Sequence, residues 1–292
     1  MRMRWLTGKW RASALADQST LPVVAALEVH TAVGRGRSRP LIVHADDGHD
    51  YVIKLRAIPK TARRLIAEVI AGKIAAGLGI PQPPMALVSI DPDLPAIDLL
   101  PEKEDELRES AGYVFGSRVI DKVNTLRRTA DCPIPPDDAA RIVWFDSLVM
   151  NADRKWRNPN ILIGNDRYWV IDNDSAFHLH HKWADPGRWK EFSYSPSSGL
   201  QWWQKVDHVL LPWASSIADA GNRLAPLVDD ELIADAIDSV PSEWFGQAFP
   251  DGSVIEPWRM YEATISWRLR ARRDFEALAD VARFEGICRE RV

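Results

Sequence analysis

The sequence is short of sulfur, of charge of one sign and of long apolar runs. Its only two cysteines, Cys132 and Cys288, lie far apart, and neither sits in a C-x-x-C pair. That argues against a disulfide framework and a thiolate metal site and fits a reducing, cytoplasmic compartment. Lys and Arg number 37 against 41 Asp and Glu, a formal net charge of -4 over 292 residues. Bulk attraction to nucleic acid or to an anionic membrane surface is not expected from such a balance. No apolar run is long enough to span a bilayer. The opening stretch "MRMRWLTGKWRASALADQ" alternates polar and apolar residues and lacks the continuous apolar centre of a signal peptide. Internal repeats and low-complexity segments are missing too. What is left is an ordinary globular composition, 46% hydrophobic and 27% charged, with enough chain for one or two domains around a real core.

From Leu21 to about Ile90 the pattern is mostly strand-like: "LPVVAALEVHTA", then "PLIVHA" and "YVIKL", the last two joined by "DDGH" with its Asp47-Gly48 turn signal. One helix interrupts them. Thr61 to Leu78 spaces Leu65, Ile66, Val69, Ile70 and Ile74 helically and stops at Gly79, with Pro81 just beyond. "MALVSI" reads as a further strand, "DPDLPAIDLLPEKEDELRES" as a loop with one helical turn, and Ala111 to Arg118 as a linker. Past Asp137 helices dominate, in "DDAARIVWFDSLVM" and in "EPWRMYEATISWRLRARRDFEALADVARF". The exception is "NILIGNDRYWVID", a small hairpin planted among them. The expected architecture is α+β, with a strand-rich part carrying one helix over residues 1–116 and a larger helical part over 117–292.

The chemistry concentrates in "NADRKWRNPNILIGNDRYWVIDND", Asn151 to Asp174. Asn160 opens the first predicted strand and Asp172 closes the second, so pairing across "GNDR" sets an amide oxygen and a carboxylate side by side. Magnesium takes such oxygen ligands together with the phosphates of a substrate. Asp153, in the loop after an amphipathic helix, is placed to orient an attacking hydroxyl or accept its proton. Singly, Asp and Asn make turns and caps in most loops. The order helix, Asp, Asn, hairpin, Asp is how phosphotransferases of the protein-kinase type lay out their base and metal ligands. Lys54 ends a predicted strand and Glu68 follows fourteen residues later on the helix, beside Ala71, Gly72 and Ala75, whose small side chains permit close approach to a sheet. "GRGRSRP", Gly34 to Pro40, joins two strand runs. Its Gly34 and Gly36 would lay backbone amides over phosphates and Ser38 would add a hydroxyl, although it is not a Walker loop.

Together these residues resemble the HipA-like kinase family, in its compact bacterial branch with "N-x-D-R-x-x-x-N-P-N" followed by an "I-D" strand end. The likeness extends over "RSRPLIVHADDGHDYVIKL", "AEVIAGKIAAGLGIPQPP", "GYVFGSR", "FHLHHKW" and "DHVLLP", roughly Leu21 to Pro212. It implies a two-lobed protein-kinase-like fold with ATP between the lobes. By resemblance Asp153 is the catalytic Asp, Asp172 the metal-binding Asp, Lys54 the phosphate-holding Lys and Glu68 its partner. For the metal-binding Asn, Asn158 has the kinase spacing from Asp153, whereas Asn160 directly precedes the strand and is preferred. Phe115, Gly116 and Ser117 match the inter-lobe connection, whose backbone meets adenine. One departure is Asn173-Asp174, where related kinases carry glycine two residues after the metal-binding Asp. The extra carboxylate of Asp174 would bind metal or mark altered activity.

The expected function is an ATP- and Mg2+-dependent phosphotransferase acting on Ser or Thr of a protein, and the expected partners include a regulatory or antitoxin protein. Its rivals are a nucleotide-binding pseudokinase acting through a partner and a kinase of a small molecule or lipid. His178, His180 and His181 crowd too closely to converge on zinc unaided and read as structural or substrate-rim residues. "RLRARR", Arg268 to Arg273, reads as a solvated helix face, with contact to phosphate or nucleic acid as the rival. The "WW" at Trp202 and Trp203 reads as core or packing, with a partner surface as the rival.

Overall fold

The computed structural model describes residues 20–31, 41–56, 61–97, 99–127, 132–178, 180, 208–250 and 256–289. Six strands form the first sheet: β1 Val23–Thr31, β2 Leu41–Ala45, β3 Asp50–Lys54, β4 Met85–Ile90, β5 Ala96–Ile97 and β6 Gly112–Arg118. Their order is β2-β3-β6-β4-β1-β5, and β1 also pairs β2. The ring β1-β2-β3-β6-β4 is therefore closed, with β5 added along β1. A register shift between Ala26 and Glu28 in β1 supplies the bend that closure needs. The β2–β3 hairpin turns at Gly48, whose φ of +78° suits glycine. Val29, Val43, Tyr51, Ile53, Val88 and Val114 fill the barrel interior, as alternation in β2 and β3 requires. β4 and β6 are buried on both faces, because Leu87 and Phe115 point out of the barrel into a second, larger core.

That second core holds α1 (Thr61–Gly77) and the helices that follow. Outside α1 and α2 (Pro101–Glu109), these are α3 (Pro136–Val149), α4 (Ile217–Leu224), α5 (Asp230–Asp238), α6 (Ser242–Ala248), α7 (Pro257–Arg270) and α8 (Arg272–Arg289). α1 is buried nearly all round from Leu65 to Ala75. It lies between the sheet and the pair α5 and α6. Gly72 lets Met85 of β4 press onto the helix, and Gly77 admits Leu232 of α5. Lys73 Nζ pairs with Asp235 at 2.7 Å, and Arg63 Nε donates to the Ala248 carbonyl at 2.9 Å. Although it precedes β4 in the chain, α1 is thus held by the helical part. A small second sheet, β7 (Asn124–Thr125), β8 (Ile161–Gly164) and β9 (Arg167–Val170), completes the framework.

Two expectations are corrected. The segment from Ala111 to Arg118 is no linker: it contains β6, paired to β3 on one side and β4 on the other. The first sheet consequently runs to Arg118, past the boundary drawn at residue 116. The acidic loop contains β5 and the nine-residue α2, which has Pro101 in its first turn, Glu102 and Glu104 near its N-terminus and the ion pairs Lys103–Glu106 and Arg108–Asp105. Only Leu107 of α2 is buried. A helix with one apolar anchor has no periodicity to read.

Candidate active site

α3 ends at Met150, whose φ of +55° turns the chain sharply, and the Asn151 N–H closes the end on the Asp146 carbonyl at 2.8 Å. The preceding Ser147 and Leu148 carbonyls accept from Arg268 of α7 at 2.5 and 3.1 Å. Arg268 is buried, which pushes its guanidinium down to about 10. Arg272 and Arg273 both pair with buried Glu276. "RLRARR" is therefore not simply a solvated face: Arg268 caps the buried carbonyls at the end of α3.

The loop that follows is tight. The Asn151 side-chain oxygen accepts the Asp153 N–H at 3.1 Å, Lys155 and Asn158 exchange both backbone hydrogen bonds at 3.0 Å, and Asn158 Nδ2 donates to Asp153 Oδ2 at 2.8 Å. Asn158, which is exposed, thus orients the Asp153 carboxylate. β8 and β9 then pair with Ile161 opposite Val170 across a two-residue turn, Asn165-Asp166, with both φ values near the +50° that such turns demand. At the open end the Ile171 N–H donates to the Asn160 carbonyl at 3.0 Å, which brings Asn160 and Asp172 to neighbouring positions. Both have positive φ, +50° and +58°, a conformation that costs energy and that Asn and Asp tolerate best. Asn160 is 6% exposed, and its Nδ2 has no partner among the described residues.

The barrel meets this hairpin at Lys54. Its Nζ lies 2.7 Å from Glu68 Oε2, 2.5 Å from Asp172 Oδ1 and 3.2 Å from Asp174 Oδ2. The other Glu68 oxygen accepts the Asn173 N–H at 2.9 Å. Glu68 therefore ties the strand lysine to the loop after Asp172. Burial by itself would lower the Lys54 pKa, but Glu68, Asp172 and Asp174 together hold it well above the ordinary lysine range. Burial raises the Glu68 carboxyl, with Lys54 opposing. Glu68, Asp172 and Asp174 also gather within metal-ligating reach of one another. The ammonium sits among them, so the trio is an ion-pair cluster and not an open cation site.

Beside Lys54 is a cavity of about 550 Å³ between β3, β4 and β6 and the β8–β9 hairpin. Its walls are mostly apolar, with Val52, Met85, Phe115, Leu162 and Val170 among them, and Lys54, Glu68 and Asp172 also line it. Ser117 and Arg118 to Ile120 line it as well. The expectation that backbone groups from Phe115 to Ser117 meet adenine needs correction. Both sides of β6 are taken up in ladders there, and a side chain at Gly116 would meet Val88 and Tyr51 in the barrel. Phe115 and Ser117 remain wall residues, and the connecting backbone moves on to Arg118 through Ile120. Gly34, Gly36 and Ser38, together with His181, Trp202 and Trp203, lie outside the described residues. His180 is buried with Nδ1 3.2 Å from the Tyr261 hydroxyl, and His178 Nδ1 is 3.2 Å from the Met150 carbonyl.

Arg154 is the residue that sequence reasoning misses most completely. It is wholly buried and bonds Asp146, the Asn160 and Ile171 carbonyls and Asn173. His208 Nε2 lies 2.9 Å from the same Asp146. Burial by itself would raise the Asp146 carboxyl, yet Arg154 and His208 hold it below its ordinary value. A lone carboxylate in the apolar run "IVWFDSLVM" is the signal in the sequence, since an Asp there needs a buried partner.

Three comparisons bear on this arrangement. A family model described as HipA-like kinase matches residues 26–195, more than half of the chain. The crystal structure of CtkA, a proinflammatory kinase of Helicobacter pylori, superposes with a TM-score of 0.52 over 90% of this chain and 98% of that one, at 14% identity. That similarity concerns the fold. No curated protein sequence matches.

Proposed function

This chain belongs to the HipA-like kinases, and from that premise we propose that it transfers the terminal phosphoryl group of ATP, with Mg2+, to a Ser or Thr hydroxyl of a protein. One observation carries the reading: at the edge of an apolar cavity, Lys54 of the barrel is held at once by Glu68 of α1 and by Asp172 at the end of the hairpin. The barrel and the helical part then act as two lobes. The cavity volume suits a nucleoside, since ligand sites run to roughly 300–1,000 Å³. Its apolar walls take the base, and Lys54 binds phosphate oxygens while Glu68 keeps it aimed.

A hard cation fits the oxygen donors present, which are the part-exposed carboxylate of Asp172 and the side-chain amide oxygen of buried Asn160. When bound, the ion neutralises phosphate charge. Asp153, its carboxylate steadied by Asn158, orients the acceptor hydroxyl and takes its proton as the oxygen bonds to phosphorus and ADP departs. Catalysis rests on positioning and charge, not on a covalent enzyme intermediate.

Asp174 supports a second reading, a nucleotide-binding regulatory protein without turnover, because a third carboxylate on Lys54 competes with phosphate for the ammonium. Thermal melts of the wild type and of Asp172→Asn, with and without ATP and Mg2+, test the nucleotide site. A ligand at a hundred times its dissociation constant adds about 2.7 kcal/mol to stability. A metal-dependent rise in the midpoint that Asp172→Asn loses is the expected result. No rise at millimolar ATP in folded protein overturns the ATP site, and a rise without phosphotransfer to any acceptor favours the regulatory reading.

A further inference from the structure

Resting on the reading above, we propose that Arg154 is a positioning residue for phosphoryl transfer: its buried guanidinium sets the spacing between the hairpin ends that carry Asn160 and Asp172. Nη1 alone spans those ends, donating to the Asn160 carbonyl at 2.7 Å and to the Ile171 carbonyl at 3.1 Å. Nη2 donates to the Asn173 side-chain oxygen at 2.9 Å and to Asp146 Oδ1 at 3.1 Å, and Nε donates to Asp146 Oδ2 at 2.6 Å. Every nitrogen of the fork is used, and the residue is a direct neighbour of Asp153.

The support behind it is equally closed. His208 Nδ1 accepts the Leu210 N–H at 3.1 Å, which leaves the ring proton on Nε2 to donate to Asp146 Oδ2. The Arg154 carbonyl accepts the Val209 N–H at 3.0 Å. Side chain and backbone of Arg154 are therefore pinned from opposite directions by residues of α3 and of the segment starting at His208.

Stability alone is a poor reason for such an arrangement, because a buried ion pair is often no better than well-packed apolar residues of the same volume. What the planar fork adds is geometry: it addresses two carbonyls, an amide and a carboxylate at fixed angles, which the single ammonium of lysine cannot do. Groups that orient metal ligands typically matter 10- to 100-fold to metal affinity or activity. Arg154 would act in that way through the carbonyl of Asn160 and the carbonyl of Ile171, which leads into Asp172.

The test needs no acceptor substrate. Binding of a fluorescent ATP analogue to the full chain is titrated with Mg2+ in the wild type, Arg154→Lys and His208→Gln, and the folded state of each is checked by its melting transition. Arg154→Lys keeps the charge and loses the fork. Its Mg2+ midpoint is expected to rise roughly 10- to 100-fold, while affinity for the analogue at saturating Mg2+ changes little. A residue that merely supported the fold would weaken binding at every Mg2+ concentration. His208→Gln keeps the Arg154 side chain but loses the imidazole that Leu210 fixes against Asp146, so the carboxylate that holds the fork loosens, and it is expected to shift the midpoint in the same direction by less. It carries the test if Arg154→Lys does not fold. An unchanged Mg2+ midpoint in the folded variant, set against a wild type that requires Mg2+, overturns this proposal alone. A wild type that binds the analogue with no dependence on Mg2+ overturns the metal reading and this proposal with it.

Discussion

Inside the barrel the buried side chains are Val29, Val43, Ile53 and Val88 and others of their kind, whereas the helical part buries Asp146, Arg154, His208, Arg268 and Glu276 among its apolar residues. The difference follows from the backbone. Barrel strands satisfy their N–H and C=O groups in ladders, so the interior needs no buried charge. The chain from Met150 to Asn160 and from Ile171 to Phe177 has little regular pairing, and buried carbonyls must still find donors. Arg268 meets those of Ser147 and Leu148, and Arg154 meets those of Asn160 and Ile171. Irregular backbone is where candidate site residues can stand at unusual angles, and buried arginines are what let this chain keep such backbone inside.

The comparison is sharpened first at the site itself. Asp153→Ala, in a loop already held by Arg154, should lower phosphotransfer by about 10²- to 10⁴-fold while ATP binding and the melting midpoint stay near wild type. Near-normal turnover in a transfer assay would remove Asp153 from its role. Next in size, Asp146→Ala leaves Arg154 buried without a counter-ion and should cost about 3–5 kcal/mol in denaturant melts. A loss under about 1 kcal/mol would mean that the buried ions are not what holds the helical part together.

The same carboxylate makes a pH prediction. Asp146 has a folded-state pKa below its unfolded value of 3.8. Its ionised form therefore contributes stability above that pH, and the contribution is lost as pH falls through the lower folded value. Asp146→Asn should flatten the acid limb of stability measured against pH, and an unchanged limb would reject the assignment. Within the barrel, Ile90→Val should cost only about 0.5–1.5 kcal/mol and leave Mg2+-dependent nucleotide binding intact, because no irregular backbone depends on it. Smallest of all, Arg108→Ala on exposed α2 should change stability by less than about 0.5 kcal/mol, measured by the same melts.

Several elements are legible in the order of residues alone. The β2–β3 hairpin, α1, α3 and the β8–β9 hairpin all announce themselves through local period and turn residues, which put Lys54 on a strand and Glu68 on a helix, while their pairing comes only from the family resemblance. α2 is not legible in this way because it shows no apolar stripe. β6 passes for a connector because seven residues flanked by acidic and basic stretches look like one, and nothing local says that strands lie on both sides.

Residue types and short-range spacing, then, determined which elements form and which carboxylates and amides stand at their ends, since both depend on neighbours within a turn or a pleat. The tertiary structure alone decided which of those groups meet. Lys54 reaches Asp172 across 118 positions and His208 reaches Asp146 across 62. Whether an Arg beside Asp153 faces solvent or becomes the buried hub of the loop depends on what packs over it. Burial is set by the whole fold, and it turns an ordinary charged side chain into one that must find every partner its nitrogens require.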